Sequence, residues 1–292
     1  VNQGRDIEHF FVEQLSSSDL VRLALAIARI RYPDLDLDHY VRRIDNMAIQ
    51  VSPRIYDAEP GGERALALIQ AMRLDLGMRG NIEDYYDAAN SYLNVVIERG
   101  TGLPIMLSLV LVAIGQRLGL NVEGVGFPNH FMARYEDEQG TWFLDPFHGA
   151  VMTVEDVPSY FMKIFEYSSP SLKDYYFTPV LPNAWAMRIL NNLHGAYRLS
   201  NEPDRLAKVL LLSLVLEPRQ EEFWRELGLV AYRLGDFYRA ARALRRYFYL
   251  QGHMVLRLPN SSPFPTTPEV RGLEVALWNL LEEIEAACIR WN

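Results

Sequence analysis

Between Gly102 and Pro146 the hydrophobic period of the chain switches from helix to strand, and that switch constrains the fold more than any other feature. A helix is predicted to open at Gly102-Leu103-Pro104 and run to Gly119. Asn121–Phe127, His130–Glu136 and Thr141–Leu144 then read as short strands rich in β-formers, with turns at Pro128-Asn129 and Asp137–Gly140. Two or three adjacent strands behind a helix predict a small antiparallel sheet packed on helices, an α+β arrangement.

The flanking segments are helical. In residues 5–75 apolar side chains recur at three- and four-residue steps, as in Phe11, Leu15 and then Leu20, Leu23, Ala24, Ile27. Asp19 is placed to cap the second helix, and Pro33 to close it. A third helix carries Tyr40, Val41, Ile44 and Met47, and a fourth is predicted over Glu63–Leu76, ending at Gly77. Asp34, Asp36 and Asp38 have the look of a calcium loop, but His39 stands where the sharp turn needs glycine and Asp45 where the loop needs Glu; helix capping is the expected role.

From about Asn183 the pattern is purely helical and repeats. Leu190, Leu193, Tyr197, Leu206 and Leu210 are matched 34 residues later by Trp224, Leu227, Ala231, Ala240 and Leu244. The segment Trp224-x2-Leu227-Gly228-x3-Tyr232-x2-Gly235-Asp236-Phe237-x2-Ala240 resembles the tetratricopeptide signature. Pro268–Trp291 reads as a terminal capping helix, joined through a proline-punctuated linker at Leu258–Thr267. The expected division is a core domain over residues 1–175 and helical repeats with their cap over 176–292.

Composition narrows the classes. With 49% apolar and 23% charged residues, the 292-residue chain has the balance of a soluble globular protein. No apolar run reaches the roughly 18–20 residues that span a bilayer, so no membrane is expected as partner. No export signal is visible at Val1–Asp6, and a cytoplasmic location is expected. One cysteine, Cys288, excludes an internal disulfide and a Cys-based zinc cluster. A net charge of −8 argues against nucleic acid as partner, and Arg239, Arg242, Arg245 and Arg246 read as a solvated helix face.

His130 and Asp145 are the sharpest pair for chemistry, because a carboxylate on one ring nitrogen fixes the tautomer and orientation of a histidine base. Around them, Gly80-Asn81-x2-Asp84-Tyr85-Tyr86-Asp87-x2-Asn90-Ser91-Tyr92-Leu93-Asn94, Arg99-x2-Gly102-Leu103-Pro104-Ile105, Pro128-x-His130-Phe131 and Asp145-Pro146-Phe147 resemble the SirB-type family. That bacterial family couples a transglutaminase-like core to tetratricopeptide repeats, and the resemblance runs over roughly residues 5–250. It implies a papain-like α+β core followed by an all-α helical region. It also implies that His130 takes the place of the catalytic histidine, Asp145 that of the orienting aspartate, and Pro104 that of the cysteine nucleophile. The family pattern itself carries proline there. Asn129 departs from it, standing where the pattern has glycine.

Proline offers neither thiol nor hydroxyl, so a thioester route is closed at that position. Ser108, one turn further along the same helix, is the remaining candidate nucleophile near the histidine, and Cys288 lies far from the core motif. Tyr85, Asn90 and Asn94 are candidate binding residues of the same cleft, beside Pro104 and Asn129. His130, His148, Asp145 and Asp87 could offer metal ligands, but their spacing matches no known signature and neither a metal nor another cofactor is expected. The leading expectation is a non-catalytic interaction or regulatory protein that binds a protein or peptide through its helical repeats. Its rival is an amide or ester hydrolase in which His130 and Asp145 activate water or Ser108. Oligomeric state is not encoded in these motifs.

Overall fold

A computed structural model describes residues 3–17, 19–164, 172–252 and 273–290. The chain forms two compact units, His9–Ala196 and a second made of the first residues with everything from Tyr197 onward.

The first unit is built from helices around a small four-stranded sheet, with a separate pair of short strands. The opening helix α1 (Gln3–Ser17) precedes α2 (Leu20–Ala28), which is buried on nearly every side and so reads as a core element rather than a surface one. Asp19 caps α2 as expected, its side chain accepting from Arg22 N. The helix ends at Ala28, one turn before Pro33. Helix α3 (Leu37–Asp57) is capped by Asp36 and buries Tyr40, Ile44, Ala48, Val51 and Ile55 at steps of three and four. Asp36 therefore serves as a cap, and Asp38 pairs with Arg22.

Helix α4 (Gly62–Gln70) does not continue to Leu76. It widens into a π turn over Ala71–Asp75, where Arg54 grips the Asp75 carboxylate through Nε at 2.6 Å and Nη2 at 2.7 Å. Gln50 donates to the Asp75 carbonyl at 2.9 Å, so contacts from α3, outside the local pattern, hold the wider turn. Two short parallel strands, β1 (Arg79–Gly80) and β2 (Thr101–Gly102), flank α5 (Leu93–Arg99). A Cβ at Gly80 would lie 2.6 Å from the Phe147 ring, and one at Gly102 2.6 Å from Val96, so both glycines allow close approach.

Helix α6 (Pro104–Arg117) is the hub of this unit, buried from Pro104 to Gly115. Proline occupies its first position, where a missing N–H costs nothing. The sheet that packs on it is antiparallel, in the order β3 (Asn121–Phe127), β4 (His130–Asp137), β5 (Gly140–Asp145), β6 (Ala150–Met152). The predicted three strands are present, and β6 is a fourth too short to announce itself. The β3–β4 hairpin turns through Pro128-Asn129, with Phe127 paired to His130 and Asn129 in the left-handed region at φ 56°.

Alternation divides the sheet into two faces. One carries Val125, Phe127, Met132 and Phe143 against Val157 and Phe161 of α7 (Val157–Ile164). On the other, Gly124 lets the buried Trp185 of α8 (Pro182–Leu199) lie against the strand, because a Cβ there would come within 1.9 Å of the indole.

The second unit is all helical, with α9 (Pro203–Leu216), α10 (Glu221–Arg233), α11 (Phe237–Leu250) and α12 (Leu273–Arg290). Gly228 on α10 makes room for Leu244 of α11, and Asp236 caps α11 by accepting from Arg239 N at 3.0 Å. Leu277, Leu281 and Ile284 of α12 pack on Ala231, Ala240, Leu244 and Phe248, which buries the face of the α10–α11 pair that a following helix would cover. An ion pair between Arg245 and Glu285 at 2.6 Å borders that contact. The predicted linker Leu258–Thr267 lies outside the described residues, as does the Cys288 side chain. Among the described residues, no helix is long and apolar enough to cross a membrane.

Candidate functional site

His130 opens β4 and Asp145 closes β5. Their register carries them to one face: Ala133 pairs with Leu144, so the next step sets Asp145 opposite Met132, which shares its face with His130. The side chains meet there, with His130 Nε2 2.7 Å from Asp145 Oδ2.

Asp145 is the centre of the site. It is completely buried, and both of its oxygens are saturated. Oδ1 accepts the backbone N–H groups of Phe147 at 2.9 Å and His148 at 3.2 Å. Oδ2 accepts from His130, from His148 Nδ1 at 2.9 Å and from the Tyr160 hydroxyl at 2.7 Å. Burial opposes ionisation, but the hydrogen bonds from His130, His148 and Tyr160 and the charge of His130 outweigh it and hold the carboxyl well below the usual carboxylate range. Burial, followed by the negative charge of Asp145, pushes the Tyr160 phenol up, so it remains a donor.

The bond to Asp145 uses Nε2 of His130. The ring is buried among aromatic neighbours: Phe161 at 6.0 Å, Phe147 at 6.4 Å and His148 at 5.5 Å between ring centres. Arg188 of α8 anchors the preceding turn by donating to the carbonyls of Phe127 at 2.7 Å and His130 at 2.9 Å. Burial lowers the Arg188 pKa, and among the described residues no carboxylate pairs with it.

The other predicted residues occupy distinct places. Pro104 is buried at the first position of α6. Ser108, fully buried one turn on, directs its hydroxyl to the Phe131 carbonyl at 3.4 Å. Asn90 spends its side-chain NH2 on the loop before it, donating to Asp84 O at 2.7 Å and Tyr85 O at 3.3 Å, while its backbone carbonyl accepts Leu103 N at 3.1 Å just ahead of α6. Asn94 is buried on α5, and its Oδ1 has no hydrogen-bond partner among the described residues. Tyr85 sits at the rim with its ring edge-on to Phe147, 6.0 Å between centres, and Phe147 in turn contacts His148 at 4.9 Å. Asn129 is exposed on the turn beside His130. Asp87 pairs with Arg99 at 3.5 Å and caps a short 3-10 turn, apart from the His130 cluster.

His130 and Asp145 are therefore brought together, and Tyr85 adjoins them through Phe147. Sequence reasoning missed Tyr160 and Arg188 altogether and weighed His148 only as a metal ligand. His148 had a local signal, three residues past Asp145 on a tight turn. Tyr160 and Arg188 had none, since helices that pack on the sheet from afar deliver them.

A histidine bonded to a buried aspartate at the ends of adjacent strands, packed on a central helix, fits the framework of a transglutaminase-like core. The Transglutaminase-like superfamily model Transglut_core2 matches residues 38–191, which spans the sheet, α6 and both residues of the pair. A UPF0162 protein of Xylella fastidiosa (strain 9a5c) is 32% identical over 237 residues, 79% of this chain and 83% of the relative. The chain belongs to the transglutaminase-like superfamily and, within it, to the UPF0162 proteins. The human F-box only protein 21 is 45% identical over 60 residues, covering 20% of this chain and 10% of that protein. A crystal structure of menin, described as revealing the binding site for Mixed Lineage Leukemia (MLL) protein, covers 86% of this chain and 71% of its own at 11% identity, with a TM-score of 0.36, too low to argue a common fold.

Proposed function

We propose that this chain is a non-catalytic interaction or regulatory protein of SirB type. In this reading the transglutaminase-like core offers a polar cleft, and tetratricopeptide-like helices bind a protein or peptide partner. One observation carries the reading: the start of α6 presents proline, and the hydroxyl one turn on, Ser108, is bonded to the Phe131 carbonyl. His130 is oriented by Asp145 as a base would be, yet neither position offers it a nucleophile to activate. The 34-residue recurrence and the fit of Gly228 under Leu244 support the repeat reading of α8–α11. The exposed Tyr238 and Tyr249 of α11 give a partner aromatic surface to meet, and the single cysteine suits a cytoplasmic setting.

The intact His130–Asp145 bond favours one second reading, an amide or ester hydrolase in which His130 activates water. Two assays separate the readings. Wild type and His130→Ala are compared on a panel of amide and ester substrates, and proteins retained by wild type are compared with those retained by a Tyr238→Ser/Tyr249→Ser variant. The interaction reading expects no turnover above background and loss of a specific partner in the double variant. Turnover by wild type that disappears in His130→Ala would overturn it.

A further inference from the structure

We propose that His130, Asp145 and His148 form a binding site for a divalent transition metal ion, Zn²⁺ foremost. This goes beyond the interaction reading and stands whether or not that reading holds.

The first argument is charge. Asp145 is a fully buried carboxylate, and among the described residues neither lysine nor arginine pairs with it; its ion-pair partners are the two imidazoles. A buried anion needs a compensating cation. A proton on one of the imidazoles can supply it, and so can a metal that both imidazoles and the carboxylate share.

The second argument is the donor set. One ligand atom from each of the three residues lies within 4.8 Å of the others, giving two nitrogens and one oxygen. That set suits Zn²⁺ and related ions, whereas Ca²⁺ and Mg²⁺ take oxygen ligands. Three protein ligands leave a fourth position, and the His148 side chain, 36% exposed, opens the cluster to solvent on its own side.

The third argument is support behind the ligands. Tyr160 Oη, Phe147 N and His148 N all donate to the Asp145 carboxylate and fix its orientation, as outer hydrogen bonds do around a metal ligand. Hydrogen bonds of 2.7 and 2.9 Å now join Oδ2 to the two ring nitrogens. Tetrahedral coordination at about 2.0–2.1 Å asks for roughly 3.3 Å between ligand atoms, so the cluster must spread by about half an ångström. The partly exposed His148 can take up its share of that shift, while the rest falls on the buried His130 ring. Binding forms two metal–nitrogen bonds and one metal–oxygen bond; in each neutral imidazole the proton that now bridges to Oδ2 is carried instead by the other ring nitrogen, and a proton leaves for solvent only from an imidazole that was cationic.

The test uses the full chain, stripped with chelator and then exposed to ZnCl₂, with retained zinc measured after gel filtration and affinity by competition with a chromophoric chelator. Wild type is expected to retain one equivalent and to melt at higher temperature with zinc. His148→Ala should lose at least tenfold in affinity and the thermal shift. His148→Asn, which can still donate to Asp145 and so keeps the turn, should lose them equally. His9→Ala removes the exposed His9–Glu13 pair, an adventitious surface site, and should bind as wild type does. Failure of wild type to retain zinc, wild-type affinity in both His148 variants, or loss of binding in His9→Ala would each overturn the proposal. Turnover assays play no part, so failure here leaves the interaction reading untouched.

Discussion

The Tyr160 hydroxyl donates to Asp145 Oδ2 at 2.7 Å, tying α7 to the end of β5 at the point where His130 is also held. The bond links the helix covering one face of the sheet to the residue that orients the histidine. Removing it leaves the carboxylate buried with one donor fewer. Hydrogen bonds to charged groups contribute about 1.5–3 kcal/mol. Tyr160→Phe is therefore expected to lower stability by about 2 kcal/mol in urea unfolding, with an unchanged m-value. An unaltered midpoint would show that the bond carries no net energy.

Acid should weaken the protein through Asp145. Its folded-state pKa is depressed, so its contribution is complete above the unfolded carboxyl value of about 3.9 and is lost as pH falls below that value toward the folded one. Wild-type stability should fall steadily below about pH 4. Asp145→Asn should be less stable at neutral pH by about 3 kcal/mol, from breaking a buried charged pair, and should show a shallower decline in acid. Parallel acid limbs for the two proteins would assign the decline to other carboxylates.

Gly124→Ala tests the packing of α8 on β3. The added methyl would sit 1.9 Å from the Trp185 ring, which is fully buried and has nowhere to retreat. Overpacking of this kind costs about 1–3 kcal/mol. Gly119→Ala is the control, since a Cβ there meets nothing within 4 Å among the described residues and only its positive φ of 72° is strained, for about 1 kcal/mol. Chemical denaturation should rank Gly124→Ala as the more damaging; the reverse order would mean that Trp185 packs elsewhere.

Arg188 should govern the order of the turn before His130. Its guanidinium is the link between α8 and the carbonyls of Phe127 and His130. In Arg188→Met, amide hydrogen exchange is expected to rise at least tenfold in the β3–β4 turn while that of α6 stays constant. Uniform acceleration across the unit would instead indicate global destabilisation.

Leu281→Ala should reveal how firmly α12 is seated. Leu281 is 1% exposed among Leu244, Phe248 and Ala231, so truncation opens a cavity costing about 2–5 kcal/mol. Limited proteolysis should then cut ahead of α12 faster than in wild type. Equal rates would show that the helix adds little to the unit.

The local signals read true where a residue acts on its own backbone. Asp19 and Asp36 cap helices, Pro128-Asn129 turns the hairpin, and Pro104 starts α6, all visible as short-range chemistry. Features set by distant contacts were silent. The π turn at Ala71–Asp75 is held by Arg54, and the three-residue strand β6 exists by pairing with β5. The Asn-rich block shows the same division: its density of turn-formers was legible, but only the fold decides that the Asn90 amide is spent on the Asp84 and Tyr85 carbonyls while Tyr85 reaches Phe147 at the rim.

By itself, the sequence determined the helix–strand–strand order through residue type and hydrophobic period, and its resemblance to a known family implied the pairing of His130 with Asp145 and the place of Pro104 where a nucleophile would stand. Tertiary structure alone decided that Asp145 is shared. His148 arrives on the next turn and Tyr160 on a helix that packs across the sheet, and both meet His130 on a single buried oxygen. Period and spacing encode which face a residue takes, whereas convergence on one atom depends on how separate elements pack.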